Sequence, residues 1–120
     1  MTASTITFDD TLVFIRNSAT EDDLDRFEDT ARARTRTLNT QRAAALTVGQ
    51  DVRLDHYADA RLNGLTGKVE HIDRQPRRTT YVAVRLDETS TERYGNFHRV
   101  PDGVKEHVVT RLHAEGCYPA

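Results

Sequence analysis

Apolar residues recur at three- and four-residue spacing up to about Leu46 and alternate with polar ones beyond it. The first spacing belongs to helices with one apolar face, the second to strands with one buried face. Phe8, Leu12 and Ile15 predict a short first helix, with Asp9 and Asp10 early in it, where the helix dipole favours negative charge. Asn17 and Ser18 break that helix. Thr20 and Asp23 have the spacing of a capping box, with Asp where Glu is preferred, so a second helix is expected from about Glu21. Its stripe is Leu24, Phe27, Ala31, Leu38 and Ala45; acids crowd its first turns, and Arg32, Arg34, Arg36 and Arg42 its later half. Interruptions at Arg34, Thr35 and Arg42 predict a helix that packs only partly on the rest of the fold, or that meets another chain.

From residue 47 the pattern predicts strands at TVGQDVRL, GKVEHID, TYVAVRL, around RYGNFHRV, and EHVVTRL. Five short strands in under 70 residues mean a small barrel or sandwich. Val52 and Leu54 share a face, as do Val82, Val84 and Leu86, and Val108, Thr110 and Leu112. In GKVEHID the parity fails, because Val69 falls with His71 and Ile72 with Lys68 and Glu70, so a bulge or strong coiling is expected. RQPRRTT reads as a hairpin loop, VPDGV as a turn before the last strand, and HYADARLNG as a longer surface loop open to functional use.

The chain has 120 residues, 37% apolar and 30% charged, which allows one thin core. A formal charge of −2 excludes nucleic-acid binding by bulk charge, so any basic face must come from clustering. Residues 1–46 hold 6 basic and 8 acidic side chains, and residues 47–113 hold 11 and 10 together with all five histidines. Two clusters stand out: Arg74, Arg77 and Arg78 beside His71, and Arg93, Tyr94, Phe97, His98 and Arg99. The second interleaves cations with aromatics, which lets bases stack while guanidinium groups meet phosphate. The alternative to each is bland: a charged soluble hairpin, or a strand with Phe97 in the core and Tyr94 on the rim.

Chemistry beyond binding finds little support. Cys117 stands alone, so no intrachain disulfide forms, and without a leader or a long apolar run the expected setting is the cytoplasm, with no membrane partner. Near the C-terminus a preorganised pocket around Cys117 is hard to build, and His107, His113 and Cys117 fit no zinc spacing. NGLTGK lacks the full phosphate-loop pattern and precedes a strand. No catalytic residue, metal or other cofactor is expected.

VGQDVRL followed by NGLTGKVEHID resembles the KOW motif of SH3-like barrels, carried by Gly49, Val52, Leu54, Gly64, Gly67, Val69 and Ile72. The segment from Leu54 to Gly64 is longer than the usual turn of that motif. The physical need for glycine stands apart from the family: Asn63-Gly64 is a turn dipeptide, and Gly67 lies where a barrel strand bends or accepts positive φ. Helices followed by a barrel are also similar to small proteins encoded by actinobacterial phages. The expected fold is therefore α+β: a two-helix segment at 1–46, a five-stranded antiparallel SH3-like barrel at 47–113 and a C-terminal tail at 114–120. The resemblance implies a non-catalytic module that contacts RNA or a ribonucleoprotein or transcription assembly. Arg74, Arg77, Arg78, Arg93 and Arg99 would meet phosphate, with Tyr94 and Phe97 stacking. The alternative is a protein-interaction adaptor that engages a partner or host protein through Asp22, Asp23, Asp25, Glu28, Asp29, Arg32 and Arg36.

Overall fold

The computed structural model describes residues 5–120 and comprises two compact units, one up to Thr37 and one from Leu38 onward. Among the described residues the fold is α+β, with three α-helices and a five-stranded antiparallel sheet.

In the first unit, α1 (Phe8–Asn17) and α2 (Glu21–Ala45) start where the sequence places them, and each start is held by a reciprocal cap. Thr7 and Asp10 exchange side-chain bonds to each other's backbone N–H at 3.1 Å, and Thr20 and Asp23 do the same at 3.0 and 3.2 Å. These bonds satisfy N–H groups that no helical turn can reach. α2 continues into the second unit, where Ala43 is its only buried residue.

The second unit is built on β1 (Asp51–Leu54), β2 (Thr66–Asp73), β3 (Tyr81–Leu86), β4 (Val108–His113) and β5 (Cys117–Pro119), in the order β4-β3-β2-β1-β5. β4 and β5 lie at opposite edges, so the sheet is not closed into a barrel. Its core is aliphatic: Leu46, Val52, Leu54, Leu65, Val69, Val82, Val84, Leu86 and Leu112 are buried together with Cys117. The irregularity expected in β2 is present as a register shift between Val69 and His71, which lets Val69 pair with Val84 and Ile72 with Val82. Both then turn toward the core although they stand three apart.

Three expectations are corrected. The fourth strand, placed around RYGNFHRV, is instead the helix α3 (Glu88–Gly95) and the turn after it. Asp87 caps α3 by accepting the Ser90 N–H at 2.8 Å, and that cap outweighs the strand-like look of the residues that follow. The segment expected as a tail carries a 3-10 turn, Ala114–Gly116, and then β5, which pairs with β1 through Leu54 and Cys117. In β4 the inward residues are Val109 and Leu112 rather than Val108, Thr110 and Leu112. The pairing shifts between Val82–Leu112 and Val84–Val109, and Arg111 takes a left-handed φ of 55° within the extra residue.

Gly49 and Gly64 take the turn conformations expected of them, whereas Gly67 is needed for a different reason. Gly49 and Gly64 have φ of 89° and 90°, conformations a side chain would strain. Gly67 does not; a Cβ there would run into the Arg85 carbonyl on β3.

The caps carry a pH signature. Hydrogen bonds from the backbone and hydroxyl of Thr7 and Thr20 hold the carboxyls of Asp10 and Asp23 below the usual range. At Asp87 burial pushes upward, but bonds from Thr66 and Ser90 outweigh it and the net shift is down. A folded pKa below the unfolded value gives stability that is present above about pH 4 and lost as pH falls through the folded value. The melting temperature should therefore fall between about pH 5 and pH 3. Thermal melts of Asp87→Asn should show a shallower fall; an unchanged slope would assign the acid sensitivity elsewhere.

Candidate functional site

The sheet brings the long loop after β1 and the helix after β3 to one end of the second unit. β1 ends at Leu54 and β2 begins at Thr66, while Gly67 pairs with Leu86 at the end of β3. Loop 55–65 and α3 therefore share that end.

The loop is held closed by short-range bonds. Leu54 donates to the Leu65 carbonyl at 2.8 Å, and Gly64 donates back to Leu54 at 2.7 Å. Asn63 accepts the Tyr57 N–H at 2.9 Å, and Asp59 caps the 3-10 turn Ala60–Leu62 by accepting the Arg61 N–H at 3.1 Å. α3 is clamped to the sheet through its polar side. Ser90 and Thr91 are buried, Thr66 donates its N–H to Ser90 Oγ at 2.9 Å and its hydroxyl to Asp87, and His107 donates its N–H to Thr91 Oγ1 at 3.0 Å.

Between these elements lies an aromatic stack. The Tyr94 ring is sandwiched by His98 at 4.3 Å and His107 at 5.2 Å, with interplanar angles of 15° and 24°. Burial, with Asp59 nearby, pushes the Tyr94 hydroxyl above its ordinary value. His98 Nε2 is buried and faces Asp59 Oδ2 at 3.3 Å without an aligned hydrogen bond. Further out, the Arg61 guanidinium lies over Phe97 at 4.7 Å, and the Phe97 ring remains 59% exposed. The Arg93 guanidinium stands beside Gly64, 3.8 Å from where a Cβ would project. A groove of about 630 Å³ runs along α3, lined by Glu88, Glu92, Arg93, Asn96, Val100 and Lys105 among others.

The two arginine clusters read from the sequence do not form one surface. Arg74, Arg77 and Arg78 belong to the loop between β2 and β3, at the opposite end of β3 from α3. Six strand residues separate those ends by roughly 17 Å. Arg74 is occupied: it donates to the Ala43 and Leu46 carbonyls at 3.0 and 2.8 Å and so caps the end of α2. Arg77 sits at φ 61° in a turn closed by the Arg78 N–H and the Gln75 carbonyl, with Pro76 before it. Arg78 is exposed, as is Arg99. Tyr94 has both ring faces covered, so only Phe97 offers an open one.

On α2, Asp23 is committed to its cap, and Arg32 pairs with Glu28 at 3.4 Å and Asp29 at 3.9 Å; Asp22, Asp25 and Arg36 are exposed. The sequence marks the loop of Asp59 and Arg61 but not those residues, and it marks His107 only as a metal-ligand candidate. The signal for Arg61 was its place in a loop too long for a minimal turn; its pairing with Phe97 is 36 positions distant and has no local mark.

Cys117 is fully buried, and burial pushes its thiol up, with a hydrogen-bonding contact from the Tyr57 hydroxyl at 3.6 Å pulling the other way. His107 lies against Tyr94 and His113 against Tyr81, so the three residues weighed as metal ligands are dispersed. Among the described residues no helix is long and apolar enough to cross a membrane. No family model, curated protein or solved structure matches the chain.

Proposed function

We propose that this protein is a non-catalytic, cytoplasmic binding module that contacts single-stranded RNA, free or within a ribonucleoprotein, at the α3 end of its sheet. The observation that carries the reading is Phe97, a large exposed ring backed on one face by Arg61, with Arg93 on the same helix end and beside Gly64 of the long loop. An exposed aromatic costs solubility and does nothing for the core, whereas a backed ring with neighbouring guanidinium groups can stack a base while phosphate is neutralised. Arg99, exposed two residues further on, adds another cation to this segment. A strand order with β5 beside β1 supports an SH3-like arrangement of this open sheet, and the KOW-type resemblance is part of the proposal. The buried thiol of Cys117 is a poor nucleophile, which favours binding over covalent chemistry.

Fluorescence anisotropy with a labelled single-stranded RNA tests this. Phe97→Ala should remove a stacking contribution of about 1–3 kcal/mol, a five- to hundredfold loss in affinity. Arg93→Glu should weaken binding and flatten its salt dependence, whereas Arg77→Glu with Arg78→Glu, at the far end of the sheet, should weaken it less. Affinity untouched by Phe97→Ala and Arg93→Glu would overturn the site; saturable binding to a protein without RNA would favour the adaptor alternative.

A further inference from the structure

Among the described residues, seven of the ten large hydrophobic side chains that remain exposed lie within residues 6–38, among them Phe8, Val13, Phe14, Leu24 and Leu38. α1 buries none of its residues, and in the α1–α2 hairpin Phe14 meets Phe27 edge-on at 6.0 Å while both helices leave most of their apolar residues exposed. Two helices with so little shared core are marginal by themselves, because helix stability in proteins comes chiefly from packing an apolar face.

The charge order of α2 indicates what covers that face. Residues 21–29 carry six acids and a single base, Arg26; residues 32–42 carry four arginines and no acid. We propose that the hairpin docks on the same hairpin of a second copy of this chain, with the two α2 helices antiparallel about a two-fold axis near Ala31. About that axis Leu24 comes level with Leu38 of the second copy, and Glu28 with Arg34 of the second copy. Each acidic half then meets an arginine half, and two-fold symmetry makes the match twice. Parallel pairing would set acid against acid and arginine against arginine. A second copy supplies the complement with no further requirement, and α1 brings its exposed residues to the same four-helix arrangement. The proposal is independent of any ligand at α3.

Light scattering and sedimentation on the full chain provide the test. The expected mass is twice 13.6 kDa at low salt, with the dimer weakening roughly tenfold or more as salt rises past the point where surface charges are screened. Arg32→Glu with Arg34→Glu should give a monomer, as should Asp25→Arg with Glu28→Arg, and mixing the two variants should restore a dimer containing one of each. Spin labels on Asp22→Cys should lie roughly 27 Å apart along the helix axis in the antiparallel dimer, against about 10 Å for parallel helices. A wild-type chain that stays monomeric at low salt, charge variants that dimerise unchanged, a mixture that stays monomeric, or labels near the parallel distance would each overturn the proposal.

Discussion

Gly67→Ala is expected to destabilise the second unit by about 3 kcal/mol or more, lowering its melting temperature by roughly 12–24 °C. Gly67 lies inside the sheet, level with Val52 on β1 and Leu86 on β3, and the position of a Cβ is already filled by backbone of Arg85 and Leu86. Backbone on a central strand cannot rotate aside as a side chain can, so β2 and β3 must separate and lose pairing. Gly49 is the control: its φ is 89°, but nothing lies within 4 Å of a Cβ there. Gly49→Ala should cost only the left-handed penalty of about 1–2 kcal/mol. Calorimetric melts of both variants decide the matter, and equal losses would show that conformation, rather than close strand approach, is what glycine provides at Gly67.

Removing Tyr57 should have the second large effect, and a chemical one as well. Its ring lies where a Cβ on Gly116 would be, and its hydroxyl crosses from the long loop to donate to the His113 carbonyl at 2.6 Å and to meet Cys117. Desolvation holds this hydroxyl far above its ordinary pKa, so it remains a neutral donor. Tyr57→Ala loses the half-buried ring and the tie together, about 3 kcal/mol, whereas Tyr57→Phe keeps the ring and loses one hydrogen bond, about 0.5–1.5 kcal/mol. Cys117 should be slow toward a thiol reagent in the wild type and in Tyr57→Phe, and faster by about tenfold or more in Tyr57→Ala, because access and burial limit its thiolate. Equal thiol reactivity in all three would show that the ring does not shield the sulfur.

Both predictions draw on residues whose importance is unevenly written in the sequence. Gly67 is visible as a glycine at the head of an alternating strand, but that its constraint is steric rather than conformational depends on where Arg85 passes. Tyr57 sits in a loop marked only by its length, and its partners are 56 and 60 positions away. The same split runs through the candidate site. The mixture of cations and aromatics from Arg93 to Arg99 is local and legible. That Tyr94 is closed between two histidines while Phe97 stays open is not, since His107 and Arg61 arrive from other elements. Arg74 looks interchangeable with Arg77 and Arg78 in sequence, yet it is the one within reach of the carbonyls that end α2.

What the sequence by itself determined is what neighbours within a few residues decide. The starts of α1 and α2 follow from apolar spacing, with the Thr20–Asp23 cap at α2; Gly49 and Gly64 mark left-handed turns, and the broken parity of β2 marks its bulge. Each is a matter of local hydrogen bonding or side-chain direction. The Asp87 cap on Ser90 is local, but the tertiary structure decided that the residues after it stay helical where aromatic alternation suggested a strand, because buried Ser90 and Thr91 are satisfied by β2 and by the segment entering β4. It also decided that the last residues form β5, since a three-residue strand has no pattern of its own and exists through its ladder with β1. Strand pairing and burial are long-range quantities, set by which distant residues can fill one another's hydrogen bonds and exclude water together.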